Sequence, residues 1–257
     1  EGVKVKALTL RDIRQSKNKN LQMLTCYDYQ TAQMLNETDL DMILVGDSLG
    51  NVMLGYETTV EVTLEDMIVF GSAVRRGAPD KFLILDMPFA TYSTLASGVK
   101  NASTLFQKTR AQALKLEGAY PYQLQLIERL TQNGIPVMGH IGLTPQSVHQ
   151  LGGYYVHGKN EDSAARLIKE AQALEACGAF AVVLEMVEKE VAQKITKAIS
   201  IPTIGIGAGS GTDGQVLVIN DLLKLGPHRP PKFCTPVADL FEMKKELIQT
   251  YLNDQRK

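Results

Sequence analysis

Four carboxylates in this chain stand directly after short apolar runs. Met42–Val45 gives way to Gly46 and then Asp47-Ser48. Phe82–Leu85 ends in Asp86, Ala113–Leu116 in Glu117-Gly118, and Ala181–Leu184 in Glu185. Short runs of this kind read as strands buried on both faces. In an α/β barrel the C-terminal strand ends form one rim, where catalytic groups gather. Asp47, Asp86 and Glu117 follow three consecutive strands. Three acids converging on one point repel one another unless a cation lies between them. Hard oxygen ligands select Mg²⁺ or a similar ion, which keeps several of its waters. Any one of these acids alone reads as well as a helix cap or the partner of a surface lysine. Three in register favour the metal.

Lys115 lies two residues before Glu117. Side chains alternate along a strand, so the two point to the same side. If that side is the barrel mouth, Lys115 is placed to bind a substrate carboxylate or to stabilise an enolate. The plainer alternative is a space-filling Lys–Glu pair. Glu185 stands at the end of strand six, across the barrel from the metal candidates. That separation suits a general base, although a surface acid beside Glu188 and Lys189 has the same spacing. His140 ends strand five, where it either orients a ligand or is satisfied in the core. His149 and His157, in a long loop, receive no role. The Gly205–Gly211 stretch is glycine-rich without spelling a dinucleotide fingerprint. It reads equally as a phosphate loop and as a tight turn replacing a helix.

These residues need strands to carry them. The apolar runs predict strands at Leu21–Thr25, Asp41–Gly46, Phe82–Asp86, Ala113–Leu116, Ile135–His140, Phe180–Leu184, Ile201–Gly205 and Val216–Ile219. Helical segments alternate with them at Asp28–Asn36, Leu64–Arg76, around Asn101–Lys108, from Pro121, at Ser163–Cys177 and at Glu190–Ile199. Thr63 with Asp66 makes a capping pattern. Only a glycine-rich turn separates the last two strands. Leu240–Leu252 predicts a C-terminal helix, and Thr9–Arg14 a short capped helix able to plug the barrel bottom. This alternation predicts a parallel sheet closed as a (β/α)₈ TIM barrel, α/β in class. An open doubly wound sheet is the alternative.

The bulk properties agree. The chain has 257 residues, near the ~250 of one such barrel, and a single domain over 1–257 is expected. A net charge of −1 gives no reason to expect a nucleic-acid or membrane partner. No apolar run approaches the ~20 residues that span a bilayer. The start, Glu1-Gly2-Val3-Lys4, holds no signal-peptide core, although an earlier segment is not excluded. Cys26, Cys177 and Cys234 are an odd, widely spaced set, which suits a reducing compartment and no zinc site. A cytoplasmic location is expected.

Several blocks, in order, carry a family resemblance: LTCYDYQTA, VGDSLGNVMLGY, LDMPF, ALKLEG, IPVMGHIGLTPQSVHQLGGY, GAFAVVLE and IPTIGIGAGSGTDGQVLV. From about Leu21 to Phe241 the chain resembles ketopantoate hydroxymethyltransferase. The resemblance implies a (β/α)₈ barrel and a Mg²⁺-dependent reaction. A hydroxymethyl group passes from 5,10-methylenetetrahydrofolate to 3-methyl-2-oxobutanoate, giving 2-dehydropantoate. By the same resemblance Asp47, Asp86 and Glu117 match metal positions. Asp47, Ser48, Asp86 and Lys115 match substrate-binding positions, and Glu185 matches the proton acceptor. A homo-oligomer, a decamer in the family, is also implied. Arg110 and Ala119 stand where the family pattern has glycine, Met186 where it has a smaller residue, and Asn220 where it has histidine. None of these removes a named group.

Two other readings share parts of this pattern. A Mg²⁺-dependent lyase related to phosphoenolpyruvate mutase, or an aldolase, would use the same acids without folate. A catalytically silent barrel would have no need of Asp47, Asp86, Glu117, Lys115 and Glu185 together.

Overall fold

In the computed structural model, residues 7–256 are described; the Glu1–Lys4 stretch lies outside them. Eight parallel strands close into a barrel in sequence order. They are β1 (Leu21–Thr25), β2 (Met42–Val45), β3 (Phe82–Asp86), β4 (Ala113–Glu117), β5 (Val137–Gly142), β6 (Ala181–Glu185), β7 (Thr203–Ile206) and β8 (Gly214–Leu217). The Leu21 N–H donates to the Asp213 carbonyl at 2.9 Å and closes the seam between β8 and β1. Eleven helices accompany the strands among the described residues. They are α1 (Leu10–Arg14), α2 (Tyr29–Asn36), α3 (Leu49–Val52), α4 (Leu64–Gly77), α5 (Leu95–Thr109), α6 (Pro121–Gln132), α7 (Val148–Leu151), α8 (Glu161–Ala176), α9 (Lys189–Ala198), α10 (Ile219–Leu222) and α11 (Leu240–Gln255). The described chain forms two compact units, one reaching to Val216 and the other starting at Leu217.

The barrel interior follows from period-two alternation. Leu21 and Met23, Met42 and Leu44, Phe82 and Ile84, Ala113, Met138, Ala181 and Val183, Ile204 and Val216 fill it together. Ile13 of α1 joins this cluster with no exposed surface, so α1 is the plug that the sequence suggests. Thr9 caps it in a reciprocal box with Asp12. The expected box of Thr63 and Asp66 likewise starts α4. The turn between β7 and β8 holds no helix, as its glycines predict.

Some boundaries move. β5 runs past His140 to Gly142, so His140 lies within a strand. β8 begins at Gly214, five residues before the expected end at Ile219, which instead starts α10. A Cβ on Gly214 would meet the Leu21 carbonyl oxygen at 2.5 Å, so only glycine lets β8 approach β1 this closely. α5 starts at Leu95, capped by Thr94.

Arg110 ends α5 in the left-handed region, at φ 53°. A Cβ is disfavoured there by roughly 1–2 kcal/mol. Arg110→Gly is therefore expected to stabilise the fold by about 1 kcal/mol, net of glycine's greater chain entropy. A urea titration at unchanged m-value checks this; an unchanged or lower midpoint would show that the arginine's contacts outweigh the strain.

Candidate functional site

The alternation that fills the barrel also builds the site. Two residues beyond Ile84, Ala113, Met138 and Val183 stand Asp86, Lys115, His140 and Glu185. The register pairs Asp86 with Lys115, Glu117 with His140, and Gly142 with Glu185. These side chains form the next layer above the apolar core, at the C-terminal ends of β3 to β6. Asp47 follows the last residue of β2 by two and enters from the turn at Gly46. A Cβ on Gly46 would stand 3.4 Å from Asp86 Oδ2 and 3.0 Å from Ser48 Oγ. That glycine lets the two acidic loops meet. The Asp47 N–H donates to Asp86 Oδ2 at 3.0 Å.

Lys115 Nζ lies 3.0 Å from Asp86 Oδ1 and 2.8 Å from His140 Nδ1. The Asp86 contact falls outside hydrogen-bond alignment, so Oδ1 remains available to another cationic partner. Lys115 thus lies on the barrel side of β4 with Glu117, as alternation predicts. Burial works against its ammonium, but Asp86, Glu117 and Asp47 outweigh it and hold the lysine pKa above its usual value. The lysine is charged and donates to the imidazole, so Nδ1 accepts. Burial and the neighbouring ammonium both push the His140 pKa down, and a neutral ring keeps its proton on Nε2. Nε2 stands 3.1 Å from Glu185 Oε2, off the line of a good hydrogen bond. A continuous chain therefore runs Asp86–Lys115–His140–Glu185. Glu185 is not isolated across the barrel from the acid cluster; one imidazole and one ammonium join them.

Exposure separates the roles. The side chains of Asp86, Lys115, Glu117 and His140 are at most 5% exposed, whereas that of Glu185 is 19% exposed. Of these five linked side chains, Glu185 is the most open to solvent. Ser48 Oγ and the buried Tyr27 hydroxyl share a hydrogen bond at 2.6 Å, which fixes the serine beside Asp47.

Gln146 was not legible as a site residue. It comes from the loop after β5 and is buried. Its Nε2 donates to Asp47 Oδ2 at 2.7 Å and to the Met87 carbonyl at 2.9 Å. Its Oε1 accepts from the Tyr92 hydroxyl at 2.5 Å, and its backbone N–H donates to Glu117 Oε2 at 3.0 Å. One residue therefore holds two acids from different strands. Its only signal was its position in the IGLTPQS block, and a glutamine in a loop has no periodicity to expose it.

The acids are short of positive charge. Burial first, and then Asp86, push the Asp47 carboxyl up to about 7 against the opposing pull of Lys115. Burial and Asp47 push Glu117 well above the usual range. Three buried carboxylates face one ammonium, a deficit that a hard dication would correct. Among the described residues no three acid, histidine or cysteine side chains are close enough to cage an ion. The donor set therefore fits an ion that keeps waters and uses few protein ligands. The Gly205–Gly211 turn places Gly207 and Gly209 at positive φ. Gln215 Nε2 donates to the Gly209 carbonyl at 3.0 Å, so a β8 side chain ties this turn down.

A family model described as ketopantoate hydroxymethyltransferase matches residues 4–257. The chain belongs to the ketopantoate hydroxymethyltransferase family. Among curated relatives, the 3-methyl-2-oxobutanoate hydroxymethyltransferase of Pseudothermotoga lettingae is 50% identical, over 92% of this chain and 89% of that protein. That of Leptospira interrogans (strain Fiocruz L1-130) is 49% identical, over 91% and 88%. That of Thermotoga maritima is 46% identical, over 97% and 93%. The chain is an enzyme, a hydroxymethyltransferase of pantothenate biosynthesis. Solved structures share the fold at low identity. Phosphoenolpyruvate phosphomutase from Streptomyces platensis subsp. rosaceus aligns with a TM-score of 0.68 and 12% identity, covering 98% of this chain and 88% of that one. Phosphonopyruvate hydrolase, in a complex with oxalate and Mg²⁺, gives 0.61 and 10%, covering 96% and 99%. These likenesses support the barrel, whereas the relatives carry the activity.

Proposed function

We propose that this enzyme transfers a hydroxymethyl group from 5,10-methylenetetrahydrofolate to 3-methyl-2-oxobutanoate, giving 2-dehydropantoate, with Mg²⁺ and through an enolate. The observation that carries the mechanism is the linked layer at the strand ends. A charge-deficient acid cluster lies on one side, a partly exposed carboxylate on the other, and Lys115 and His140 join them.

Asp47, Asp86 and Glu117 would hold the metal together, part of them through waters that the ion keeps. When bound, Mg²⁺ supplies positive charge beside the keto oxygen and lowers the cost of the enolate. Asp47, Ser48, Asp86 and Lys115 would bind the oxo acid, the ammonium of Lys115 taking its carboxylate. Glu185 would remove the C3 proton. Neutral His140 would orient Glu185 through Nε2–H and keep Lys115 aimed inward through Nδ1. Gln146 would fix Asp47 and Glu117 at constant separation. Assaying 2-dehydropantoate with and without folate and Mg²⁺ tests the reaction. Product without folate would favour the lyase or aldolase reading, and no product with both would leave the chain without this activity.

Lys115→Met is expected to raise the apparent KM for the oxo acid. A charge-assisted hydrogen bond contributes about 1.5–3 kcal/mol, or roughly 10- to 100-fold. The far-UV circular dichroism spectrum should not change. An unaltered KM would remove Lys115 from the substrate site.

The whole chain would serve as one catalytic domain. A cytoplasmic location fits the odd cysteine set and the biosynthetic role. Among the described residues no helix is long and apolar enough to cross a membrane. A homo-oligomer, decameric as the family pattern implies, is supported by the exposed apolar side chains of Met243, Leu247, Ile248 and Tyr251 on α11.

A further inference from the structure

Two carbons must meet at C3 of the oxo acid. The base takes a proton from that atom, and the one-carbon unit bonds to it. A donor carbon that bonds on the face that lost the proton approaches on the part of the mouth that Glu185 serves. The loop from Leu143 to His157 is tied to this place at both ends. The Leu143 N–H donates to the Glu185 carbonyl at 2.8 Å. The His157 N–H donates to the Met186 carbonyl at 2.7 Å, and the Glu188 N–H returns to the His157 carbonyl at 2.9 Å. Early in the loop, Gln146 grips the acid cluster. Late in it, Tyr154 and Tyr155 stand 60% and 45% exposed. Exposed aromatic rings on a loop anchored beside a catalytic carboxylate are poor solvent neighbours and good stacking surfaces.

We propose that Tyr154 and Tyr155 form the stacking platform for the planar heteroaromatic ring of the one-carbon donor, on the Glu185 side of the mouth. This rests on the folate reading above. Tyr155 stacks on His157 with centroids 4.5 Å apart and planes at 22°. His157 is buried, and its Nε2 has no hydrogen-bond partner, which leaves a polar atom beside the ring pair for a ligand. Burial and then the charges of Glu185, Asp47 and Glu117 push the Tyr154 hydroxyl above its usual pKa, so the phenol lies within electrostatic reach of the acids. Gly152 and Gly153, just before the pair, take φ of 75° and 132°, and neither has another atom within 4 Å of a built Cβ. The loop crest is open. A second aromatic set, Phe89 and Tyr122, lines a groove of about 450 Å³ with Glu117 and Gln146. It lies on the β4 side, with His140 between it and Glu185, and is the weaker candidate.

Calorimetry with tetrahydrofolate, on enzyme holding Mg²⁺ and 3-methyl-2-oxobutanoate, tests the assignment. Aromatic stacking on a heterocycle implies that the double variant Tyr154→Ala/Tyr155→Ala binds roughly 10- to 100-fold more weakly. The double variant to Phe should keep wild-type affinity. C3 proton exchange in deuterated water without folate reports the oxo-acid half of the site and the intact fold. It should continue in both variants. Unchanged folate affinity in the alanine variant would overturn the proposal. So would a loss confined to Phe89→Ala/Tyr122→Ala. Loss of C3 exchange in the alanine variant would assign the tyrosines to the oxo-acid site and likewise overturn it. A wild-type enzyme that exchanges C3 but binds no tetrahydrofolate would instead sink the folate reading itself.

Discussion

Glu185→Gln is expected to slow exchange of the C3 proton of 3-methyl-2-oxobutanoate by about 10²–10⁴-fold, the usual contribution of a positioned general base. The same loss should appear in kcat for the full reaction. Glutamine keeps the shape of glutamate, and its carbonyl oxygen can face His140 Nε2 as the carboxylate does at 3.1 Å. The imidazole therefore stays in place and holds Lys115 as before. Glu185 is also the most exposed member of its chain, so its replacement leaves no new buried charge unpaired. Mg²⁺ affinity and oxo-acid affinity should change little. Exchange followed by NMR with Mg²⁺ and no folate isolates the step. Wild-type exchange in the variant would show that another group takes the proton. His140 would be next in line, although both of its ring nitrogens already face partners.

Asp86→Ala is expected to cost more, because several functions meet at that carboxylate. Oδ2 accepts from the Asp47 N–H and holds the β2 turn in place. Oδ1 faces the Lys115 ammonium. Removing the acid takes away a metal donor, loosens the other acid's loop and leaves a buried ammonium with one partner fewer. Outer partners of metal sites alone change affinity 10- to 100-fold. Loss of a direct donor should weaken Mg²⁺ by at least about 100-fold, and activity should fall with it. Calorimetry reads the metal independently of turnover. Unchanged Mg²⁺ affinity in Asp86→Ala would sink the metal assignment, whatever the activity did.

Each of these expectations draws on a different level of the molecule. Strand alternation was enough to place Lys115 and Glu117 on one face, because successive side chains on a strand point to opposite sides. The apolar runs were enough to give eight strands, because a parallel barrel buries both faces of its sheet. The acids stood out because each interrupts such a run at its C-terminal end. The family blocks added the reaction, which no pattern of polarity encodes. Even Arg110 was visible as a departure before its left-handed backbone gave the physical meaning.

The tertiary structure decided what the acids touch. Barrel closure sets β4, β5 and β6 side by side, and only their register brings Lys115 and Glu185 to the two nitrogens of one histidine. A sequence reading left His140 between core and ligand roles, because burial and partner choice are properties of the packed layer. Gln146 reaches Asp47 across 99 residues of chain, a contact that no local rule anticipates. The start of β8 likewise depended on how near Gly214 comes to Leu21. Local preferences fixed which segments are strands and which side each residue takes. The site itself arises from contacts between distant strands and loops, whose geometry is set only once the barrel closes.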